Sequence, residues 1–181
     1  MFMSREPLTK LPAVHSLAGK VIDSLEFARS SRELLGQIAI AEMTRLQDLV
    51  HESGGAVDVR VVGDLDEQGR PWLHLEIRGE LSLLCQRCLG PMEHALVADS
   101  HLRLIRPGDV WPEDELEEGS TVEVEDAIEA EESLDLMALV EEEIILDLPY
   151  APMHEVCELP GEGKLDGKAS PFAALAVLKK H

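Results

Sequence analysis

Aromatic side chains are scarce in this sequence: two Trp, one Tyr and three Phe. Binding unpaired bases by stacking needs several such rings, so a single-strand binder of that type is excluded. Cysteine is sparse as well. Three thiols are an odd number, and nothing here suggests a disulfide framework of paired cysteines. No apolar run reaches the roughly 20 residues a membrane helix needs. The opening MFMSREPLTKLPAVHS carries charges and prolines where a leader peptide would carry a continuous apolar core. These absences point to a reduced, cytoplasmic protein with no membrane partner.

Positive charge is missing from one long stretch. Between Glu113 and Glu143 there are 15 Asp and Glu and no Lys or Arg. The whole chain carries 36 acidic against 16 basic residues, a net charge of −20. Without that stretch the rest is only mildly acidic. Such a surface repels phosphate backbones, so a general nucleic-acid binder of the basic-patch type is excluded. Any RNA contact has to be local or made through a protein partner. Catalytic signatures are missing too. There is no Gly-rich phosphate loop and no G-x-S-x-G, and the run Glu141–Glu143 reads as a solvated helix face. The sequence therefore argues for no enzyme and no small-molecule substrate.

What is present is mostly strand pattern. Residues 34–40 suit a strand. Val57, Val59 and Val61 alternate with Asp58 and Arg60. Further on, Leu73, Leu75, Ile77, Leu81 and Leu83 share one face, while His74, Glu76, Arg78, Glu80 and Ser82 share the other. Period-two alternation of this kind predicts an antiparallel strand with one wet face. Met92, Leu96, Ala98, Leu102 and Leu104 continue the inward face after a turn. Helices are predicted at 23–32, capped by Asp23 or Ser24, at 41–50, and at 134–147 with Ser133 as its N-cap. Leu136, Met137, Val140 and Ile144 make the stripe of the last, with Glu141 and Glu142 outside. Pro149 ends it. A short strand at 121–124 and a short amphipathic helix beginning at Pro171 complete the reading. The expected fold class is α+β: a twisted antiparallel β-sheet, partly barrel-like, with packed helices and an acidic loop. One domain spans 1–181, with an acidic variable segment at 107–132 and a flexible C-terminal tail at 158–181.

The strongest chemical feature is Leu81–His94, LSLLCQRCLGPMEH. Cys85 and Cys88 sit two residues apart on a turn marked by Gly90 and Pro91, so a β-hairpin carries two thiols at its tip. Far along the chain, His154 and Cys157 lie three residues apart. Thiolate and imidazole are preferred zinc donors, and Cys85, Cys88, His154 and Cys157 would make a Cys₃His set around one structural zinc ion. The alternative is ordinary thiols beside a hairpin and a loop histidine. Sixty-five residues lie between Cys88 and His154, so only tertiary folding can join the pairs. A redox C-x-x-C is disfavoured because no βαβ pattern surrounds it. Gln86 and Arg87, between the cysteines, are the best-placed polar contacts for a partner. Arg103 and Arg106 at the far end of the second strand are weaker candidates.

The joined pattern resembles the YceD family, the large ribosomal RNA subunit accumulation proteins. It is carried by Cys85-Gln-Arg-Cys88-Leu, by Val-Glu-Glu-Glu-Ile-Ile-Leu-Asp-Leu-Pro at 140–149, by Pro152, His154 and Cys157, and by Pro171-Phe-Ala-Ala-Leu. Phe27-Ala-Arg29 is similar to the opening of the proteobacterial members. The resemblance implies a cytoplasmic bacterial protein needed for normal synthesis, processing or stability of 23S ribosomal RNA. It implies no established enzymatic activity. Its partners would be a large-subunit ribosome precursor or 23S rRNA, directly or through a protein. Some relatives carry further cysteines in the tail, whereas this chain has only His154 and Cys157 there. A second reading, from the charge, is an acidic adaptor or chaperone that holds a basic ribosomal protein on its arm.

Overall fold

A computed structural model describes residues 15–111 and 126–157. The expected strand at 121–124, most of the acidic segment and the whole C-terminal tail lie outside the described residues. In chain order the elements are β1 (Val21–Ile22), α1 (Ser24–Arg29), β2 (Glu33–Ala39), β3 (Ala56–Leu65), β4 (Pro71–Leu84), β5 (Pro91–Ile105), β6 (Ala127–Glu129), β7 (Leu134–Asp135) and α2 (Leu136–Asp147). Five strands form one sheet in the order β2-β3-β4-β5-β6, and β1 pairs with β7 in a separate two-stranded ribbon.

The sheet is antiparallel except at β6, which pairs parallel to β5 through Arg103–Ile105. The α+β class with an antiparallel sheet and packed helices is as expected. The barrel-like closure is not. β2 and β6 lie at opposite edges of the sheet, and β6 contributes only three residues, too little pairing to bring the edges together.

Alternation decides which face is the core. Val57, Val59, Val61, Leu73, Leu75, Ile77, Leu81, Leu83, Leu96, Leu102 and Leu104 all point inward and are buried. Against them pack Phe27 and Ala28 of α1 and Leu136, Leu139, Val140 and Ile144 of α2. Truncating one such Leu to Ala would cost about 2–5 kcal/mol. Helix α1 lies so close to β3 that a Cβ on Gly63 would meet the Phe27 carbonyl oxygen at 2.6 Å.

The local starts are set by side-chain caps. Asp23 accepts from the Glu26 amide at 2.9 Å and opens α1. Asp135, not Ser133, caps α2, accepting from the Met137 amide at 2.9 Å. The two residues before the helix pair with β1 instead of joining it.

Three further expectations are corrected. Residues 41–50 form no α-helix; two separate 3₁₀ turns stand there, Ile40–Glu42 and Leu46–Asp48. The reason is Glu141, whose carboxylate takes the amides of Arg45 and Leu46 at 2.7 and 3.0 Å. Those amides start the second turn, so they are not available to continue a helix from the first. Accordingly Glu141 is buried, as is Glu143, and this face of α2 is not solvated. Finally, the outer face of β4 is not uniformly wet. His74 and Glu76 are buried there. Arg60 bridges Glu33 and Glu76 at 2.6 and 2.8 Å, and Asp99 meets the His74 Nε2 at 2.5 Å.

Candidate metal centre

Strands β4 and β5 form one long hairpin, in register from Trp72 opposite Arg103 to Leu84 opposite Pro91. Its tip closes through the Cys85 amide on the Gly90 carbonyl and the Leu89 amide on the Cys85 carbonyl, both 2.9 Å. Leu89 adopts a left-handed backbone, φ 60°, an uncommon conformation for a side chain of this size. It turns the chain sharply, and the amides that follow the first cysteine are aimed back at the sulfurs.

Helix α2 ends at Asp147, and the segment after it runs to this tip. The Gln86 amide donates to the Pro152 carbonyl at 2.8 Å, a backbone bond that docks the 149–157 loop on the hairpin. The two pairs that stand far apart in sequence are thereby brought together. Cys85 and Cys157 sulfurs are 3.8 Å apart, and Cys88 Sγ is 3.3 Å from His154 Nδ1. The four candidate ligand atoms all lie within 4.8 Å of one another.

The Cys85–Cys157 and Cys88–His154 distances match those around a tetrahedral ion. Zinc bonds of about 2.0–2.3 Å at tetrahedral angles place neighbouring ligand atoms about 3.3–3.8 Å apart. The imidazole is also oriented for the task. Its Nε2 lies 3.1 Å from the Pro91 carbonyl oxygen. A carbonyl can only accept, so Nε2 carries the proton and Nδ1 presents its lone pair to the sulfurs. This cluster can coordinate a metal ion.

The thiols differ in how readily they ionise. Burial opposes a charge on Cys85, but the amides of Cys88, His154 and Arg87 point at its sulfur and outweigh it, holding the thiol down at about 5. The Gly90 amide favours a thiolate at Cys88. Burial and the neighbouring sulfurs of Cys85 and Cys157 prevail over it and push that thiol up. One thiolate forms easily and discourages the second, a conflict that a divalent cation at the centre would remove.

Arg87 reaches across the cluster. Its Nε donates to Cys157 Sγ at 3.0 Å, and its terminal nitrogen donates to the carbonyls of His154 and Glu155 at 2.8 and 3.4 Å. The Cys157 sulfur beside it, by bond and by charge, raises the guanidinium above its ordinary value. Gln86 lies exposed beside it. Arg103 and Arg106 are at the opposite end of the hairpin, away from the thiols. Sequence reasoning placed Arg87 as an outward contact and missed its span to the 154–157 loop. An Arg between two metal-spaced cysteines is the signal that hints at it. Also missed were exposed apolar side chains near the cluster: Leu89, Tyr150, Met153 and Val156.

A metal ion held by all four candidate donors would keep no position for a substrate, as in structural rather than catalytic sites. Scaffold and site define a class: an open antiparallel sheet whose longest hairpin carries a candidate structural metal centre at its tip. Residues 73–179 match the family described as Large ribosomal RNA subunit accumulation protein YceD. The match covers more than half of the chain, and the chain belongs to this family. A relative, the Large ribosomal RNA subunit accumulation protein YceD of Haemophilus influenzae, is 28% identical over 172 residues, 88% of this chain and 94% of the relative. No solved structure matches the chain. Among the described residues no helix is long and apolar enough to cross a membrane.

Proposed function

We propose that the protein is a cytoplasmic, non-enzymatic ribosome-biogenesis factor that supports the synthesis, processing or stability of 23S rRNA. In this reading Cys85, Cys88, His154 and Cys157 hold one structural zinc ion. The ion pins the hairpin tip to the 149–157 loop and makes a rigid docking surface for a large-subunit precursor. The observation that carries it is the convergence of four soft donors, from segments remote in sequence, within 4.8 Å of one another. Family membership supports the ribosomal setting. Gln86 and the exposed Leu89, Met153 and Val156 supply the contact surface, and Arg87 fixes its shape. Exposed apolar groups beside a rigid polar frame are what a protein or ribonucleoprotein partner would cover.

The test is a ribosome gradient of tagged protein, with the co-sedimenting RNA and proteins identified. Association with immature large-subunit particles, lost on Cys85→Ser, is the expected result. Association unchanged by Cys85→Ser would remove the docking surface from the reading. No association with any ribosomal particle would remove the assembly role.

The charge favours a second reading, an acidic adaptor for a basic ribosomal protein. The stretch between Glu113 and Glu143 holds 15 carboxylates and no basic residue. Loss of a basic partner on deleting 113–125 alone, with the hairpin tip intact, would select this reading over the first.

A further inference from the structure

Among the described residues, β5 leaves a long stretch of sheet edge unpaired. Strand β5 pairs with β4 from Pro91 to Arg103, but on its other side β6 covers only Arg103–Ile105. The direction of each backbone group follows from three bonds. The Cys85 amide donates to Gly90, the Arg103 amide donates outward to Asp126, and the Ile105 carbonyl accepts outward from Ala130. In an antiparallel ladder the direction alternates residue by residue. Odd-numbered residues of β5 therefore face away from β4. Among the described residues, the backbone groups of Glu93, Ala95, Val97 and Asp99 have no partner. At the opposite edge, the Gln37 amide and carbonyl of β2 are taken by His15 and Leu17.

Beside this edge is a cavity of about 440 Å³ between β5, β6 and α2. Its lining carries Asp99, Asp126, Glu142, Glu143 and Asp147 and no Lys or Arg. Three of these carboxylates are engaged: Asp99 by His74, Glu142 by Arg45 and Glu143 by Ser100. Asp126 and Asp147 also line the cavity, with no side-chain partner among the described residues. Asp147 closes α2, where the helix dipole adds further negative potential. The floor is apolar, from Leu102, Ile128 and Leu139.

We propose that the β5 edge binds an extended Lys- or Arg-rich polypeptide segment by strand addition. Backbone pairing to Glu93, Ala95, Val97 and Asp99 would supply the register, and alternate basic side chains would enter the carboxylate-lined cavity. A second copy of this chain fits poorly. Pairing two such edges about Leu96 would set Glu93 of each copy opposite Asp99 of the other, and like charges directly opposite are destabilising. RNA is repelled by the same carboxylates. The proposal deepens the adaptor reading by giving the basic partner a seat on the folded sheet. It does not depend on the metal centre.

The test is amide hydrogen exchange by NMR on the full chain, with a peptide of about ten alternating Lys and Val residues, long enough to span 93–99. An alternating Glu and Val peptide is the control. The expected result is new protection at the amides of Glu93, Ala95, Val97 and Asp99 with the basic peptide alone. Val97→Pro removes an outward amide that β4 does not use, and should abolish binding. Should that variant fail to fold, Asp126→Asn with Asp147→Asn should weaken binding about three- to tenfold while leaving the strand intact. Protection only at the hairpin tip, equal response to both peptides, or protection of 93–99 by self-association without peptide would each overturn the proposal. Ribosome-gradient association reports on the assembly role separately, so either result can fail without the other.

Discussion

Arg87 Nε lies 3.0 Å from Cys157 Sγ, and the same guanidinium holds the carbonyl of His154 at 2.8 Å. One side chain on the hairpin thus fixes the sulfur of one candidate ligand and the backbone of another on the 149–157 loop. Such outer partners orient ligands and tune their basicity, and losing one typically costs 10–100-fold in metal affinity. Arg87→Met should leave a bound metal but weaken it by about 10–100-fold, and should make Cys157 more reactive to alkylating agents. Competition against a chelator of known affinity, with mass mapping of the alkylated cysteine, checks both. Arg87→Lys should recover only part of the loss, because an ammonium cannot reach sulfur and carbonyl in one plane.

The metal itself should be found at one equivalent in carefully purified protein, and cobalt substitution should give the visible spectrum of a tetrahedral site rich in thiolate. Cys85→Ser should abolish stoichiometric binding. The sheet should survive, because the core against α1 and α2 does not include the tip. Elemental analysis and far-UV circular dichroism of the same samples read the two outcomes. Substoichiometric metal in the unmodified protein would count against the zinc assignment.

Glu141 is the carboxylate on which the 40–50 segment depends. It accepts from two backbone amides, Arg45 and Leu46, and is itself buried. Glu141→Ala strands both donors, and buried unsatisfied donors cost about 1–3 kcal/mol each. The expected loss is about 2–6 kcal/mol, read as a lower urea midpoint. Glu141→Gln keeps an acceptor oxygen and should lose less. Glu142→Gln, whose partner Arg45 is exposed, should leave the midpoint nearly unchanged.

The hairpin and its thiol pair were legible because alternation from Leu73 to Leu83 and the Gly90-Pro91 turn are local signals. The buried carboxylates were not, because three successive Glu look solvated on any helix. A closer look at spacing would have helped. Met137 and Ile145 lie one turn to either side of Glu141, and both are half-buried against the core. α2 is apolar around too much of its circumference for one narrow stripe. The helix expected at 41–50 failed for a related reason. Met43, Leu46 and Leu49 satisfy a helical period, but so do two short turns separated by a break. Closure into a barrel cannot be read from alternation at all, since the pattern is the same for an open sheet. Union of the thiol pair with His154 and Cys157 depends on where α2 delivers its C-terminus, which is a property of the core.

Asp66 gives a pH prediction. Partial burial opposes its charge. Backbone and side-chain bonds from Arg70, with further donors at Trp72 and Gln68, prevail and lower it from 3.8 to about 2. A carboxyl depressed on folding stabilises the folded state above its unfolded value, and that contribution is lost as pH falls through the folded value. The turn between β3 and β4 should therefore gain full benefit above about pH 5 and lose it progressively between pH 4 and 2. Asp66→Asn should be less stable than the unmodified protein at pH 7 by a gap that narrows below pH 4. Paired urea titrations at pH 7 and pH 3 measure it. A gap that stays constant across that range would show that the charge of Asp66 is not what holds the turn.

Gly63 shows where packing leaves no room. It is inside β3, where a glycine weakens the strand by its backbone freedom alone, so its presence needs a cause. The cause is α1. A Cβ there would sit 2.6 Å from the Phe27 carbonyl oxygen and 2.7 Å from the Ala28 Cα, both backbone atoms that cannot swing aside. The Gly63 amide also donates to the Arg32 carbonyl at 2.8 Å, so α1 and the turn after it are held against the strand from both ends. Gly63→Ala should force the helix away from the sheet and uncover Phe27, with a loss of about 1–3 kcal/mol. Gly69→Ala is the informative comparison. A Cβ there meets nothing within 4 Å, but its φ of 76° is left-handed, so its cost is conformational strain and not a clash. The two variants separate by their tertiary signal. Gly63→Ala should increase hydrogen exchange throughout α1, whereas Gly69→Ala should affect only the 66–70 turn. Equal exchange in α1 for both would mean that the helix can retreat without cost, and the close approach would not then account for the glycine.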